Sequence, residues 1–478
     1  MMKKLGLITT LAVICSVAFG QEKRVLTLQE CIEIAVDNNL NVKRSELNLQ
    51  TAEVNLMQSQ ASRYPSLNAN GNYGYNWGRG IDPTTNQFID QRINFNSVGA
   101  STNIPVIQGL QVTNSIRQDK LNTQASRKDL EKAENDISLN TANFYLNVIF
   151  NKELLDNAQF QLESSQQQLD RTKKLVASGA LPLSNELQLE SQVATNEVNL
   201  INAQNNLDLA LLSLKQALLL PPGQEIDVII PDITIDQAEI ENSSIIDLYN
   251  QALANMPEIQ SAKLRVESSE VGVEVAKGGM YPSLSVSGRM DTRYSDASQQ
   301  FVPTTDPVTV QVPTDLVTEN GDEIFLQQEI ADGNFETVSI SNQYDNNFSR
   351  SLTLNLSIPI FNGFNTRGQI QRSKIAFQQA KINEKEQQNI LYQTIESSYR
   401  NAVAAAKTYS ASQKQVASLE ETFRAVENQY NNGAANFTDY QVASNNLFQA
   451  RTDLSRAKYD FVFKQKVLEF YQGKPLTF

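Results

Sequence analysis

The chain contains no histidine and two cysteines among its 478 residues. Without histidine it lacks the commonest general base and the commonest transition-metal ligand. Cys15 falls inside an apolar N-terminal run, so Cys31 is the only other thiol, and a lone thiol forms no intrachain disulfide. Set in "LQECIEIA", Cys31 reads as a small buried apolar residue. Basic residues are also short: 40 Lys and Arg face 53 Asp and Glu, a formal charge of -13. That balance argues against nucleic acid and against a polybasic membrane anchor. Beyond the N-terminal run no stretch of about 18 apolar residues exists, so no spanning helix is expected. The carboxylates are scattered and assemble no nucleophile–base set. The glycines of "GNYGYNWGRG" sit in strand-forming sequence with no GK[ST] behind them, which removes a phosphate cradle. No enzyme, cofactor or metal site is expected.

The N-terminal run reads as an export signal over residues 1–20. Lys3 and Lys4 precede the apolar core Leu5 to Phe19, and Ala18-Phe19-Gly20 forms a small-x-small cleavage site. Ile14, rather than a small residue, precedes Cys15, which favours simple cleavage over lipidation. Removing the signal leaves 38 basic against 53 acidic residues. An exported chain without a spanning helix is secreted, periplasmic or inserted by β-strands.

What is present is a repeat. "YPSL" occurs at Tyr64 to Leu67 and again at Tyr281 to Leu284, an offset of 217. Backwards from it, Ala35 meets Ala252, Val42 meets Ile259 and Leu47 meets Leu264. A second block matches at an offset of 254, where "IPVIQG" from Ile104 falls on "IPIFNG" from Ile358. Tyr145 then meets Tyr399, and Gly179 meets Gly433. The second copy therefore holds 37 extra residues, in the polar Pro-, Thr- and Asp-rich region around Gln299 to Asn346. The expected organisation is repeat 1 over 21–220, a linker over 221–245, and repeat 2 over 246–478 with an extended loop at 295–346. Proline marks the helix–strand junctions: Pro65 and Pro282 end a helix, and Pro105 and Pro359 stand near the strand end before the helix resumes.

In "SLTLNLSIPI", Ser351 to Ile360, the residues Leu352, Leu354, Leu356, Ile358 and Ile360 share one face and small polar residues the other. Period-2 alternation over about ten residues suits a tilted membrane-spanning strand. Ser283 to Met290 repeats it, with Leu284, Val286 and Met290 on the apolar face. Tyr73, Tyr75 and Trp77 share a side, as an interfacial girdle would. Ile93 to Ile104 is a weaker fourth strand. A soluble sandwich alternates in the same way. Here, however, the second face is rich in Ser, Thr and Asn, and too little other β sequence exists to cover an apolar sheet face. Four strands cannot close a barrel, for which about eight are the practical minimum. An open sheet in lipid would leave bare edges. Strands that meet lipid must therefore be pooled by several chains, two giving eight or three giving twelve.

The helical stretches carry a three-four seam. In the first copy it runs through positions 137, 141, 144, 148, 151, 155, 158, 162, 165, 169, 172 and 176. In the second it runs from Ile395 to Tyr430. Such spacing is a coiled-coil seam, and its Asn, Ser and Thr members suit many helices packed side by side around a wet interior. About 70 residues from Gly109 to Ser178 give on the order of 100 Å of helix. Gly179 and Gly433 mark the turns back, with Thr438-Asp439 a plausible N-cap after the second. The expected fold class is mainly α: long coiled-coil helices for a helical barrel, plus four β-strands per chain for a shared barrel, written twice.

This doubled plan, with its YPSL and I-P-[VI] junctions and the Tyr430-x-x-Gly433 turn, resembles the TolC-type outer-membrane efflux proteins over nearly the whole mature chain. The resemblance implies a homotrimer in the outer membrane of a Gram-negative bacterium. Its parts would be a twelve-stranded barrel among outer-membrane lipid and a twelve-helix periplasmic tunnel, with the linker in a mid-tunnel belt. It implies a passive exit duct whose helical tips (Gly179, Ala180, Leu181, Gly433 and Ala434) dock a periplasmic adaptor linked to an inner-membrane transporter. The family's entrance residues carry over unevenly. Asp439 matches an entrance aspartate, and Tyr430 matches the tyrosine of an interhelical lock. Val442 stands where a second aspartate would be, Ala435 where the lock has arginine, and Asn185 where it has an acidic partner. The ionic lock is thus largely missing, which leaves an open or differently latched entrance as an equal alternative to closure by that salt bridge. Asp439 also fits as an ordinary residue at a helix start. The acidic excess could make the duct cation-favouring.

A secreted or surface coiled-coil adhesion or scaffold protein with β-inserts is the alternative. It could use the Pro/Thr/Asp insert as a binding face. The apolar/small-polar alternation of Ser351 to Ile360, which an adhesin does not require, separates the two.

Overall fold

The structure is a computed structural model that describes residues 24–81, 86–90, 92–231 and 244–476. The expected export signal and residues 232–243 of the expected linker lie outside the described residues. The chain divides into two compact units. One takes the described parts of Met1–Val54, Lys120–Ser268 and Gln378–Phe478; the other takes those of Asn55–Asp119 and Ser269–Phe377. The units cut across the repeats, since each draws segments from both.

The first copy runs β1 (Arg24–Leu26), α1 (Leu28–Asn38), α2 (Leu40–Ala61), β2 (Ser66–Asn76), β3 (Arg79–Ile81), β4 (Phe88–Asp90), β5 (Ile93–Gln108), α3 (Gln111–Ala177) and α4 (Leu183–Ala217). After β6 (Ile226–Val228), the second runs α5 (Ile245–Asn255), α6 (Pro257–Gly278) and β7 (Ser283–Ser295). It continues through β8 (Gln299–Pro303), β9 (Val308–Val317), β10 (Glu323–Ile330), β11 (Gly333–Thr337) and α7 (Ile340–Asn346). It ends with β12 (Ser349–Ser357), α8 (Asn365–Asn431) and α9 (Phe437–Tyr471). The copies correspond in length: α1 and α5 have 11 residues, α2 and α6 have 22, α3 and α8 have 67, α4 and α9 have 35. Both sequence offsets recur, 217 between the starts of α1 and α5 and 254 between those of α3 and α8.

Local chemistry sets the short helices. Thr27 caps α1 reciprocally with Glu30: its hydroxyl accepts from the Glu30 N–H at 3.3 Å, and the Glu30 carboxylate accepts from the Thr27 N–H at 2.8 Å. That bond holds the Glu30 carboxyl below its usual range. The Asn39 side chain accepts from the Asn41 N–H at 2.8 Å and restarts the chain as α2. In the second copy Pro257 opens α6, where its missing N–H costs nothing.

The helical unit holds its core around the short helices. Leu26, Cys31, Ala35, Tyr145, Val148, Ile149, Leu214 and Val228 form one cluster, and Leu248, Ala252, Ile259, Ile395, Ala402 and Phe461 another. Cys31 is buried, and burial pushes its thiol up to about 12. β1 pairs in parallel with β6, and the Tyr145 hydroxyl donates to the Ile229 carbonyl at 2.6 Å. Lys152 pairs with Asp227 and donates to the Val228 carbonyl at 2.9 Å. The start of the linker is thereby pinned to α3.

In the other unit β12, β7, β5 and β2 form one antiparallel sheet in that order. Register aligns its apolar rows: Leu354, Val286 and Ile104 lie abreast, and Leu356 pairs with Leu284. The opposite face is joined by small polar groups. Asn355 donates to Ser287 at 2.9 Å, and Ser287 donates to Asn103 at 3.2 Å.

Three expectations are corrected here. Pro105 stands near the end of β5 but does not terminate it: the strand continues to Gln108 through a register shift between Pro105 and Ile107, a bulge that tolerates a missing donor. The break before α3 is made instead by Gly109 and Leu110, with φ of 54° and 65°; Gly363 and Phe364 do the same before α8 at 63° and 62°. A Cβ at Gly109 would collide with the Gly278 carbonyl oxygen, so this position needs glycine twice over. Second, the strand expected at Ser351 to Ile360 spans Ser349–Ser357, so Ile358, Pro359 and Ile360 lie past its end. Third, the extended loop at 295–346 is structured. β8 pairs with β11 and β9 with β10 as a two-stranded ribbon, because "VTVQV" alternates as strictly as the sheet does.

Candidate functional site

Two places carry the candidate chemistry: the turns of the long helices, and the four-stranded sheet.

At the first turn Gly179 has φ of 77°. Its N–H donates to the Val176 carbonyl at 2.9 Å, and the Ala180 N–H donates to Leu175 at 2.9 Å. At the second, Gly433 has φ of 74°, its N–H donates to Tyr430 at 3.1 Å, and the Ala434 N–H donates to Gln429 at 2.7 Å. Both are Schellman closures, which satisfy the last helical carbonyls and need a left-handed residue. Ala180 and Ala434 are exposed and Leu181 and Ala435 half-buried. Pro182 precedes α4, and the Asn185 N–H donates to its carbonyl at 3.1 Å. The N-cap of α9 is Asn436, not Thr438-Asp439: the Asn436 side chain accepts from the Asp439 N–H at 2.9 Å. Asp439 is thus the third helical residue, with an exposed carboxylate placed favourably for the helix dipole. Val442 is exposed one turn further on.

Between the turns lies an aromatic cluster. The Tyr430 ring stacks on Tyr440 at 5.1 Å, Phe423 lies 5.6 Å from Tyr440, and Phe437 and Leu189 complete the packing. Burial pushes the Tyr440 phenol up to about 12. The Tyr430 hydroxyl is buried with no hydrogen-bond partner among the described residues. This is the residue whose lock partners are replaced by Ala435 and Asn185, and neither of those is bonded to it.

An uncharged network ties the two helical hairpins together. Gln441 on α9 donates to Gln192 on α4, and Gln192 donates to Asn196 at 2.9 Å. Asn196 donates to Ser165 on α3 at 2.9 Å, and Gln161 donates to Ser444 on α9 at 2.8 Å. Nearer the turns Arg171 donates to Asn431 at 2.8 Å. Gln192, Asn196 and Ser165 are buried. Sequence reasoning missed Gln192, Asn196 and Gln441; the polar seam member Ser165 was the signal that could have found them. Every position of the first seam is buried or half-buried.

Pro65 and Pro282 each occupy the single residue between a turn and the strands β2 and β7, and Pro359 stands two residues past β12. On the sheet's apolar face Leu352 is 81%, Leu354 66% and Leu356 62% exposed. Tyr73 and Tyr75 meet edge to face at 5.6 Å, and Tyr75 lies 5.9 Å from Trp77, near the strand end. Among the described residues the edge strands β12 and β2 each pair on one side only. Among the described residues no helix is long and apolar enough to cross a membrane, and no cluster of metal-ligating side chains is found.

Such a chain, mainly helical with seam-packed hairpins and carrying a narrow antiparallel sheet apolar on one face, is of the kind that builds a channel wall together with other chains. A model of the family described as "Outer membrane efflux protein" matches residues 31–218 and 248–473. The chain belongs to that family and is an outer-membrane efflux channel protein. The outer membrane protein TolC of Escherichia coli K12 is 22% identical over 462 residues, covering 94% of this chain and 82% of TolC. The TolC of Salmonella enteritidis is 22% identical over 70% of this chain and 60% of its own length. The fold matches the crystal structure of the outer membrane protein VceC from Vibrio cholerae, with a TM-score of 0.70 at 15% identity, over 94% of this chain and 97% of VceC.

Proposed function

We propose that three copies assemble in the outer membrane of a Gram-negative bacterium and pool their sheets into one twelve-stranded barrel, continued by a twelve-helix periplasmic tunnel. The observation that carries this is the four-stranded sheet with two one-sided edges and a bare leucine face. Four strands cannot close, lipid tolerates no open edge, and the leucines gain from hydrocarbon rather than water. The duct is passive: energy for transport comes from an inner-membrane transporter, reached through a periplasmic adaptor that docks at the turns around Gly179, Ala180, Leu181, Gly433 and Ala434. The exposed small residues at both turns support that contact.

The entrance of this duct is latched mainly by uncharged groups, with the Arg171 guanidinium donating to Asn431 nearer the turns. Gln441, Gln192, Asn196 and Ser165 hold the hairpins where an ionic lock would otherwise act, leaving the Asp439 carboxylate exposed at the helix start. The test is purification from outer membranes followed by planar-bilayer recording. A trimer surviving SDS with steady single-channel conductance is expected. A soluble single chain without conductance would defeat the proposal and restore the adhesion or scaffold reading.

A further inference from the structure

Strands β8 to β11 form a ribbon in two halves. Its two halves run on from each other, since the Thr304 N–H donates to the Asp332 carbonyl at 2.7 Å. Its base is held to the sheet. Gln343 on α7 is buried and donates to the Ser295 and Val338 carbonyls, each at 2.8 Å, while its own oxygen accepts from the Ser295 N–H at 2.9 Å. Tyr344 donates to Asn96 on β5 at 2.6 Å. The outer half, β9 with β10, joins no further strand among the described residues. Register places Val308, Val310 and Val312 beside Ile330, Gln328 and Leu326, so one face holds five apolar residues and a single uncharged amide. The other face carries Thr309, Gln311, Gln327 and Glu329, with the pair Phe325 and Pro313 at its far end. All five apolar residues are exposed. A lone two-stranded hairpin is marginal in water, and one with an apolar face requires something to cover it.

We infer that the apolar face of β9 and β10 packs against the equivalent ribbons of the neighbouring copies, forming a protein–protein contact above the shared barrel. This rests on the trimer reading. The ribbon is inserted between β7 and β12, and β12 is the edge at which the next copy must pair, so it continues the interface that closes the barrel. Residues 295–348 contain ten Asp and Glu and no Lys or Arg, which makes an anionic lipid surface a poor alternative cover. Identical apolar faces related by a three-fold axis can meet at that axis while Glu329 and its neighbours stay in water.

Val310→Cys in the full-length chain, oxidised in isolated outer membranes, tests this. Cys31 is silent because it is buried. The expected result on a denaturing, non-reducing gel is a shift of up to two of every three chains into a two-chain band, with Gln311→Cys on the opposite face staying at one chain. Should Val310→Cys disturb assembly, Val312→Cys gives the same readout. A one-chain band from material that a native gel shows to be an intact trimer overturns the contact alone, as does a disulfide to a different polypeptide. Absence of the trimer itself overturns the parent reading, and the contact with it.

Discussion

The helical unit and the sheet unit solve burial in opposite ways. In the helical unit Tyr145, Val148 and Ile149 lie inside clusters closed by the same chain. In the sheet unit, Leu352, Leu354 and Leu356 stand bare although they alternate as strictly as any core strand. The difference teaches that the same apolar signal points to two solvents: the chain's own interior for the helices, and lipid for the strands.

The largest effect is expected from Ile149→Ala, which empties a buried position on α3 and should cost about 2–5 kcal/mol of stability by denaturant unfolding. Next, Leu354→Arg should cost about 2–4 kcal/mol per chain if the residue faces mid-bilayer, and outer-membrane fractionation should show assembly lost. An unchanged yield would place that face against water and break the comparison. Asn196→Ala removes the centre of the uncharged network and leaves the Gln192 amide N–H without its acceptor; about 1–3 kcal/mol is expected, together with a more open entrance read as raised conductance. Gly179→Ala forces a side chain into the left-handed region at about 1 kcal/mol, and a larger loss of adaptor binding than of stability would support docking at that turn. The smallest change is expected from Tyr430→Phe. Deleting a buried hydroxyl without a partner leaves stability unchanged or slightly higher, whereas a marked loss would reveal a partner on a neighbouring copy.

Much of the fold was legible because its signals are local. The two offsets located every pair of equivalent helices, period 2 located the four strands, and the three-four seam fell wholly on packed positions. Pro105 misled because proline reads as a strand end, whereas a bulge tolerates it. The ribbon at 295–346 misled because its turn-rich composition outweighed the alternation of Val308, Val310 and Val312. At the turns, Gly179 and Gly433 were readable from their conformational need, but Asn436 was overlooked in favour of its neighbours. The amide network escaped because it links residues as far apart as Gln161 and Ser444, and no spacing rule reports which polar side chains meet across helices.

The central claim is that one chain's sheet is an incomplete wall. Native mass spectrometry of the protein released from lipid nanodiscs measures this directly. The account predicts the mass of three chains with no stable single-chain species; a lone chain that remains folded and membrane-bound would contradict it.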